Sequence, residues 1–327
     1  MKKTFFFTLL MLLLFTFVFS LMFGGSKLPF REVMVALFHP HQAGIAQTII
    51  WKIRIPRIVL GFLVGAGLAS CGVVFQGMLR NPLAEPYTLG VSGGAALGAT
   101  LGIVFSLGGY WVPAMAFLGS LLSIAMIYFI VSRRRFSVAS LILGGIILSF
   151  IFSSLVLLIF SLVRAERVQG AIFWLMGNLS SIQPALLKVI AFIIPGGILI
   201  FLLFGREIDL LTLGEERAAH LGMEAEGVKK MLFLVASLIT GAAVAATGII
   251  GFVGLIVPHF LRRFTGPNHR LLIPAAALGG AIFLALSDTL ARTIVAPLEL
   301  PVGVITGILG GFFFLSFLLR AKKWDIS

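Results

Sequence analysis

Residues 231–260 read MLFLVASLITGAAVAATGIIGFVGLIVPHF, thirty positions without Asp, Glu, Lys or Arg. As a single helix this block would be about 45 Å long. That is too long for one crossing of a hydrocarbon core about 30 Å thick and too short for two full crossings of roughly 20 residues each. It reads as one full helix over 231–249 and one short helix over 251–261. Gly248, Gly251, Gly254 and Pro258 offer places for the helix to break. Broken backbone is tolerated at membrane depth only where neighbouring protein satisfies its polar groups.

Outward from this block, apolar segments recur at 4–23, 58–79, 89–107, 112–132, 137–163, 185–204, 271–290 and 302–319, which brings the expected crossings to ten. The 327 residues are 59% hydrophobic with only 11% charged, against about a quarter charged in soluble proteins. The chain is therefore read as one all-α, polytopic membrane domain over 1–327. Ten crossings leave both termini on one side. With Lys2 and Lys3 cytoplasmic, Arg80, Arg133, Arg134, Arg135, Arg206, Arg217, Lys229, Lys230, Arg262, Arg263, Arg270, Arg320, Lys322 and Lys323 fall inside. Lys27, Arg31, Lys52, Arg54, Arg57, Arg164, Arg167 and Arg292 fall outside, with Lys188 near the start of the sixth helix. If the short helix did not cross, Arg262, Arg263, Arg270 and the C-terminal cluster would face outward, against the positive-inside rule. Tyr and Trp residues also lie near the proposed ends, as an aromatic belt requires. An excess of 25 Lys and Arg over 12 acids, spread between apolar segments rather than gathered on one solvated face, marks orientation and not nucleic-acid binding. A cleaved signal peptide is the alternative reading of the first helix, but residues 19–26 lack a clear A-x-A site.

Glycines recur every fourth residue at Gly90, Gly94, Gly98 and Gly102, and at Gly303, Gly307 and Gly311. Small residues at this spacing let helix backbones approach where lipid provides no hydrophobic drive for association. Helix packing or a pathway is thus expected at Gly90, Gly94, Gly98, Gly251, Gly254 and Pro258. Asp288 and Glu299 sit near outer helix ends, so no acid is expected at a midplane, where an ion-driven carrier usually places its coupling group. There is no P-loop, H-E-x-x-H or C-x-x-C motif, no metal-ligand cluster and no sign of a cofactor. Gly90-Val-Ser-Gly-Gly94 matches G-x-S-x-G but opens a membrane helix, where a nucleophile elbow needs a strand before it. His39-Pro-His41 reads as an external loop, and Cys71, alone in an apolar run, as packing.

The connection 205–230 is different in kind. It holds Glu207, Asp209, Glu215, Glu216, Glu224 and Glu226, half of the chain's 12 acids, interleaved with Leu210, Leu211, Leu213, Ala218, Leu221 and Met223. Gly214 and Gly222 allow breaks, which gives two short amphipathic helices beside the membrane. Such a segment wants a protein partner.

Arg54-Ile-Pro-Arg57, Gln76-Gly77, Asn81-Pro-Leu-Ala-Glu-Pro86 and Leu89-Gly-Val-Ser-Gly-Gly-Ala95 closely resemble permeases of the FecCD family, the membrane subunits of type II ABC importers for iron-siderophore complexes, haem and vitamin B12. Leu213-Gly-Glu-Glu-Arg-Ala-Ala-His-Leu-Gly222 resembles that family's coupling loop, and Gly251-Phe-Val-Gly-Leu-Ile-Val-Pro-His259 its most recognisable block. Asp288-Thr-Leu-Ala-Arg292 and Glu299-Leu-Pro-Val-Gly303 complete a match running in order from Arg54 to Gly311. The resemblance implies a BtuC-like fold of ten helices in the inner cell membrane. It implies a homo- or heterodimer of permease subunits, two cytoplasmic ATPase subunits below, and an extracytoplasmic substrate-binding protein above. By position, Arg54, Arg57 and Arg292 would meet carboxylates of the binding protein. Leu213, Gly214, Glu215, Glu216, Arg217, Ala218, Leu221 and Gly222 would take the push of the ATPases. The chain would then be a transport subunit without a nucleotide site of its own. A ferric siderophore is the default cargo, haem and cobalamin the alternatives, and an ion-coupled secondary carrier the rival of another class.

Overall fold

The computed structural model describes residues 2–26, 28–40, 44–133, 136–180 and 183–320. The expectations for Lys27, His41, Arg134, Arg135, Lys322, Lys323 and Trp324 lie outside these residues. Among the described residues there are helices and no strands. The G-x-S-x-G reading falls with this, since Ser92 sits in the first turn of a helix. Each of the ten apolar stretches carries a helix: α1 (Lys2–Met22), α4 (Ile55–Leu79), α5 (Val91–Val104), α6 (Trp111–Ser132), α7 (Val138–Leu162), α9 (Pro184–Leu203), α12 (Ala225–Thr247), α13 (Val253–Thr265), α14 (His269–Ala291) and α15 (Val302–Arg320). Among the described residues, seven helical segments are long and apolar enough to cross a membrane, while α5, α13 and the apolar part of α15 are shorter. The connections hold further helices: α2 (Phe30–Phe38), α3 (Ile45–Gln47), which continues through a π-helical turn into α4, α8 (Ala165–Leu175), α10 (Gly205–Thr212) and α11 (Glu215–His220).

Most of α4 is buried, and the bundle is arranged around it. Its glycines allow this. A Cβ on Gly65 would collide with the Gly280 carbonyl of α14 and one on Gly280 with the Gly65 carbonyl, while a Cβ on Gly72 would collide with Gly254 of α13. Gly94 and Gly98 likewise seat α5 on the backbone of α6 at Gly119 and Met115. The α15 stripe behaves otherwise. Gly303 packs on the Met176 and Ile249 carbonyls, but Gly307 and Gly311 meet nothing within 4 Å.

The 231–260 block breaks between α12 and α13, at 248–252. Gly248 adopts φ 72° and ψ −163°, a conformation only glycine enters easily, and the helix has to end there. Gly254 and Pro258, also expected as break points, lie inside α13 instead. The freed backbone is satisfied from neighbouring segments. Asn178 N–H donates to the Thr247 carbonyl at 2.7 Å, Ile250 N–H to the Tyr87 hydroxyl at 3.3 Å, Phe252 N–H to Glu85 Oε1, and Gln76 Nε2 to the Gly254 carbonyl at 3.3 Å. The segment 81–90 therefore does not stay at the end of α4. Pro86 reaches the spot beside Gly254 that also faces the Leu68 carbonyl, roughly 16 Å back along α4 from Leu79 by helical rise. α5 starts from that depth, and so spans only Val91–Val104 within the expected 89–107 stretch.

Candidate functional site

The charged groups gather at two ends of the bundle. At the first end, Arg57 Nε lies 3.0 Å from both oxygens of Asp288, and its Nη2 lies 2.8 Å from Oδ1. Its Nη1 bonds Glu299 Oε2 at 2.7 Å. Arg292 shares Asp288 at 3.5 Å and donates to the Ser20 carbonyl at 2.7 Å. Arg54 donates to the Leu21 carbonyl and, at 2.6 Å, to the Ser26 carbonyl. The three arginines are only 2%, 5% and 3% exposed in the order 54, 57, 292, so they point inward rather than standing on the outer surface as expected. The reason is chemical: a guanidinium presents donors in a fork that matches a carboxylate, and Asp288 is buried beside it. The cluster ties together the end of α1, the start of α4, the end of α14 and the segment leading to α15. The first helix is thus built into the network through its own carbonyls.

At the second end lie α10 and α11. Asp209 accepts the backbone N–H of His269 at 3.0 Å and faces its Nδ1 at 2.5 Å, which places a carboxylate at the N-terminus of α14, where the helix dipole favours it. Gly214 joins α10 to α11 at φ 106°, a conformation that side chains resist, and a Cβ there would stand 3.3 Å from Arg80 Nη1. Ala218 is fully buried, whereas Leu213 and Leu221 are 50% and 63% exposed. Glu216, Arg217 and Gly222 also face outward. Glu215 pairs with Lys229 at 2.8 Å. The two short helices foreseen in 205–230 are present, but the last six residues of that stretch already belong to α12. An exposed pair of leucines on an acid-rich turn offers an apolar anchor within a charged rim, the composition of a docking surface.

Three residues escaped the reading of the sequence. Glu85 is half-buried against α13, so an acid is carried in from the helix end by the re-entrant 81–90 segment. It is committed to capping Phe252 and serves as a fixed strut. Tyr87, likewise half-buried, holds Ile250. Lys229 is fully buried. Helical phase could have found it, because Lys229, Leu232, Phe233 and Ala236 share one face of α12 and all are buried. Nothing in the 81–90 sequence alone says that its loop turns back into the bundle.

No group of three metal-ligating side chains occurs among the described residues. The model of the FecCD transport family matches residues 12–320. The hemin transport system permease protein HmuU of Yersinia pestis is 43% identical, over 84% of this chain and 84% of its own length. The cobalamin import system permease protein BtuC of Halobacterium salinarum is 40% identical, over 92% of this chain and 81% of its own. A solved chain described as an inward-facing metal-chelate type ABC transporter superimposes with a TM-score of 0.86 at 32% identity, covering 98% of this chain and 100% of the other.

Proposed function

The chain belongs to the FecCD transport family, and from that premise we propose that it conducts a ferric siderophore through the cytoplasmic membrane, worked by separate ATPase subunits that grip α10 and α11. As a member of that family it is a multi-pass permease of an ABC importer for metal chelates, haem or B12, and not a catalytic subunit. The observation that carries the mechanism is the α10–α11 surface. It has exposed Leu213 and Leu221, a glycine-only joint at Gly214 and half of the chain's acids nearby, in a sequence without a P-loop. A conduit without its own nucleotide site needs its work delivered from outside, and this is the surface fitted to receive it.

In this reading the α10–α11 end and both termini face the cytoplasm, and the Arg57–Asp288 end faces outward. Closure of the ATPases displaces α11, and packed helices rotate so that the pathway opens to one side at a time. A second permease subunit completes the pathway. The binding protein docks at the outer end, where Arg54, Arg57 and Arg292 lie buried. For direct contact Glu299, 39% exposed, must yield its bond to Arg57 to a carboxylate of the partner. Vesicles containing the chain with its ATPase subunits, binding protein and internal ATP should take up labelled ferric siderophore, and vesicles with the chain alone should not. Accumulation by the chain alone would replace this mechanism with an ion-coupled carrier. Hemin is the second cargo reading, favoured by the 43% identity to a hemin permease. Parallel uptake of labelled hemin and cobalamin decides among the three.

A further inference from the structure

Two lysines follow one another in the first turns of α12, and they differ in burial and in the reach of their contacts. Lys230 is partly exposed and pairs with Glu226 one turn away at 2.6 Å, an ordinary surface pair. Lys229 is fully buried. Its Nζ donates to the Phe136 carbonyl at 2.7 Å and meets Glu215 Oε2 at 2.8 Å. These two partners belong to separate parts of the fold: Glu215 opens α11, and Phe136 precedes Ser137, the residue whose hydroxyl caps the N-terminus of α7. Phe136 cannot slip away from this contact. It is fully buried in a left-handed turn at φ 52°, with its ring 5.9 Å from that of Tyr128 on α6 and 5.6 Å from that of Phe233 on α12.

A buried ion pair is a weak source of stability, since apolar side chains of similar volume often replace one without loss. What the ammonium adds here is a directional link between α11 and the turn that leads into α7. The chain of contact also continues past Phe136. α7 presses on the re-entrant segment at Gly145, where a Cβ would stand 2.7 Å from the Leu89 Cα. That segment carries Glu85, which holds the N-terminus of α13.

We propose that Lys229 is a positioning residue that relays displacement of α11 to the start of α7, and through α7 to the Pro86–Leu89 turn. The relay rests on the reading of α11 as the surface the ATPases move. Coupling of this kind is read as the response of one element to displacement of the other. The measurement uses the whole importer, with permease, ATPase subunits and binding protein in lipid nanodiscs. Spin labels go on introduced cysteines at Ala219 of α11 or Leu143 of α7, each paired with one at the exposed Phe192 of α9, and distances are read with and without ATP and vanadate. In the otherwise native chain both distances should change. In Lys229→Met the Ala219 distance should still change while the Leu143 change is lost, and Lys229→Arg, which keeps a cation for both acceptors, should restore it. An undiminished Leu143 change in Lys229→Met overturns the relay. If that variant does not fold, Glu215→Gln, altered at a half-exposed position, should diminish the Leu143 change, and an unaltered change there overturns the relay equally. A native chain whose Ala219 distance ignores ATP overturns the reading of α11 itself, and the relay with it.

Discussion

The two ends of the bundle handle charge in opposite ways. At the Arg57–Asp288 end, cations and carboxylates are turned toward one another and toward backbone carbonyls, and four segments distant in sequence are bound into one knot. At the α10–α11 end the buried Lys229 ammonium is bonded inward, while Leu213, Leu221, Glu216 and Glu224 are left facing out. The difference teaches where a partner is needed for completeness. The first end satisfies its own electrostatics within the chain, and the second keeps apolar area exposed. In a soluble environment such area marks an interaction site.

Breaking the knot should have the largest effect. Asp288→Ala leaves Arg57 and Arg292 buried with one carboxylate removed, and stability should drop by about 3–5 kcal/mol, read as a fall in the thermal transition of the detergent-purified chain. If the transition hardly moves, the cluster is not the clamp described. At the other end, Glu215→Ala strips Lys229 of the carboxylate it pairs with. The expected cost is about 1–3 kcal/mol, toward the lower figure because Glu215 is 42% exposed and water can replace it in part. Combining it with Lys229→Met should recover much of that loss, and a double-mutant cycle on unfolding checks it. Glu299→Gln removes a charge from one arm of Arg57 while the bidentate contact with Asp288 persists, so about 0.5–1.5 kcal/mol is expected by the same melting assay. The smallest stability effect belongs to Leu213→Ala with Leu221→Ala, within about 0.5 kcal/mol, because both side chains are exposed in the isolated chain. Copurification of the ATPase subunits with that variant should nonetheless fall sharply. Normal copurification would remove α11 from the docking surface and erase the contrast between the ends.

Much of this was legible along the chain. The apolar segments lie where helices form, the 231–260 block does break after its first full helix, and the α10–α11 pair follows from glycines spaced among acids and leucines. The spacing of Gly94 and Gly98 foretold a close helix contact, which α6 supplies. Gly307 and Gly311 obey the same spacing and yet pack on nothing within the chain, because spacing identifies a face and not what lies opposite.

The sequence by itself determined the class of protein and the placement of its helices, because apolar length and internal backbone hydrogen bonding are local properties that lipid enforces segment by segment. Tertiary structure alone decided which charges meet. Arg57 and Asp288 are 231 positions apart, Lys229 and Phe136 are 93 apart, and Glu85 finds Phe252 only because a loop turns back into the bundle. Whether an arginine is a free docking charge or half of a buried pair depends on the position of another helix, and that position is set by the packing of all the helices together.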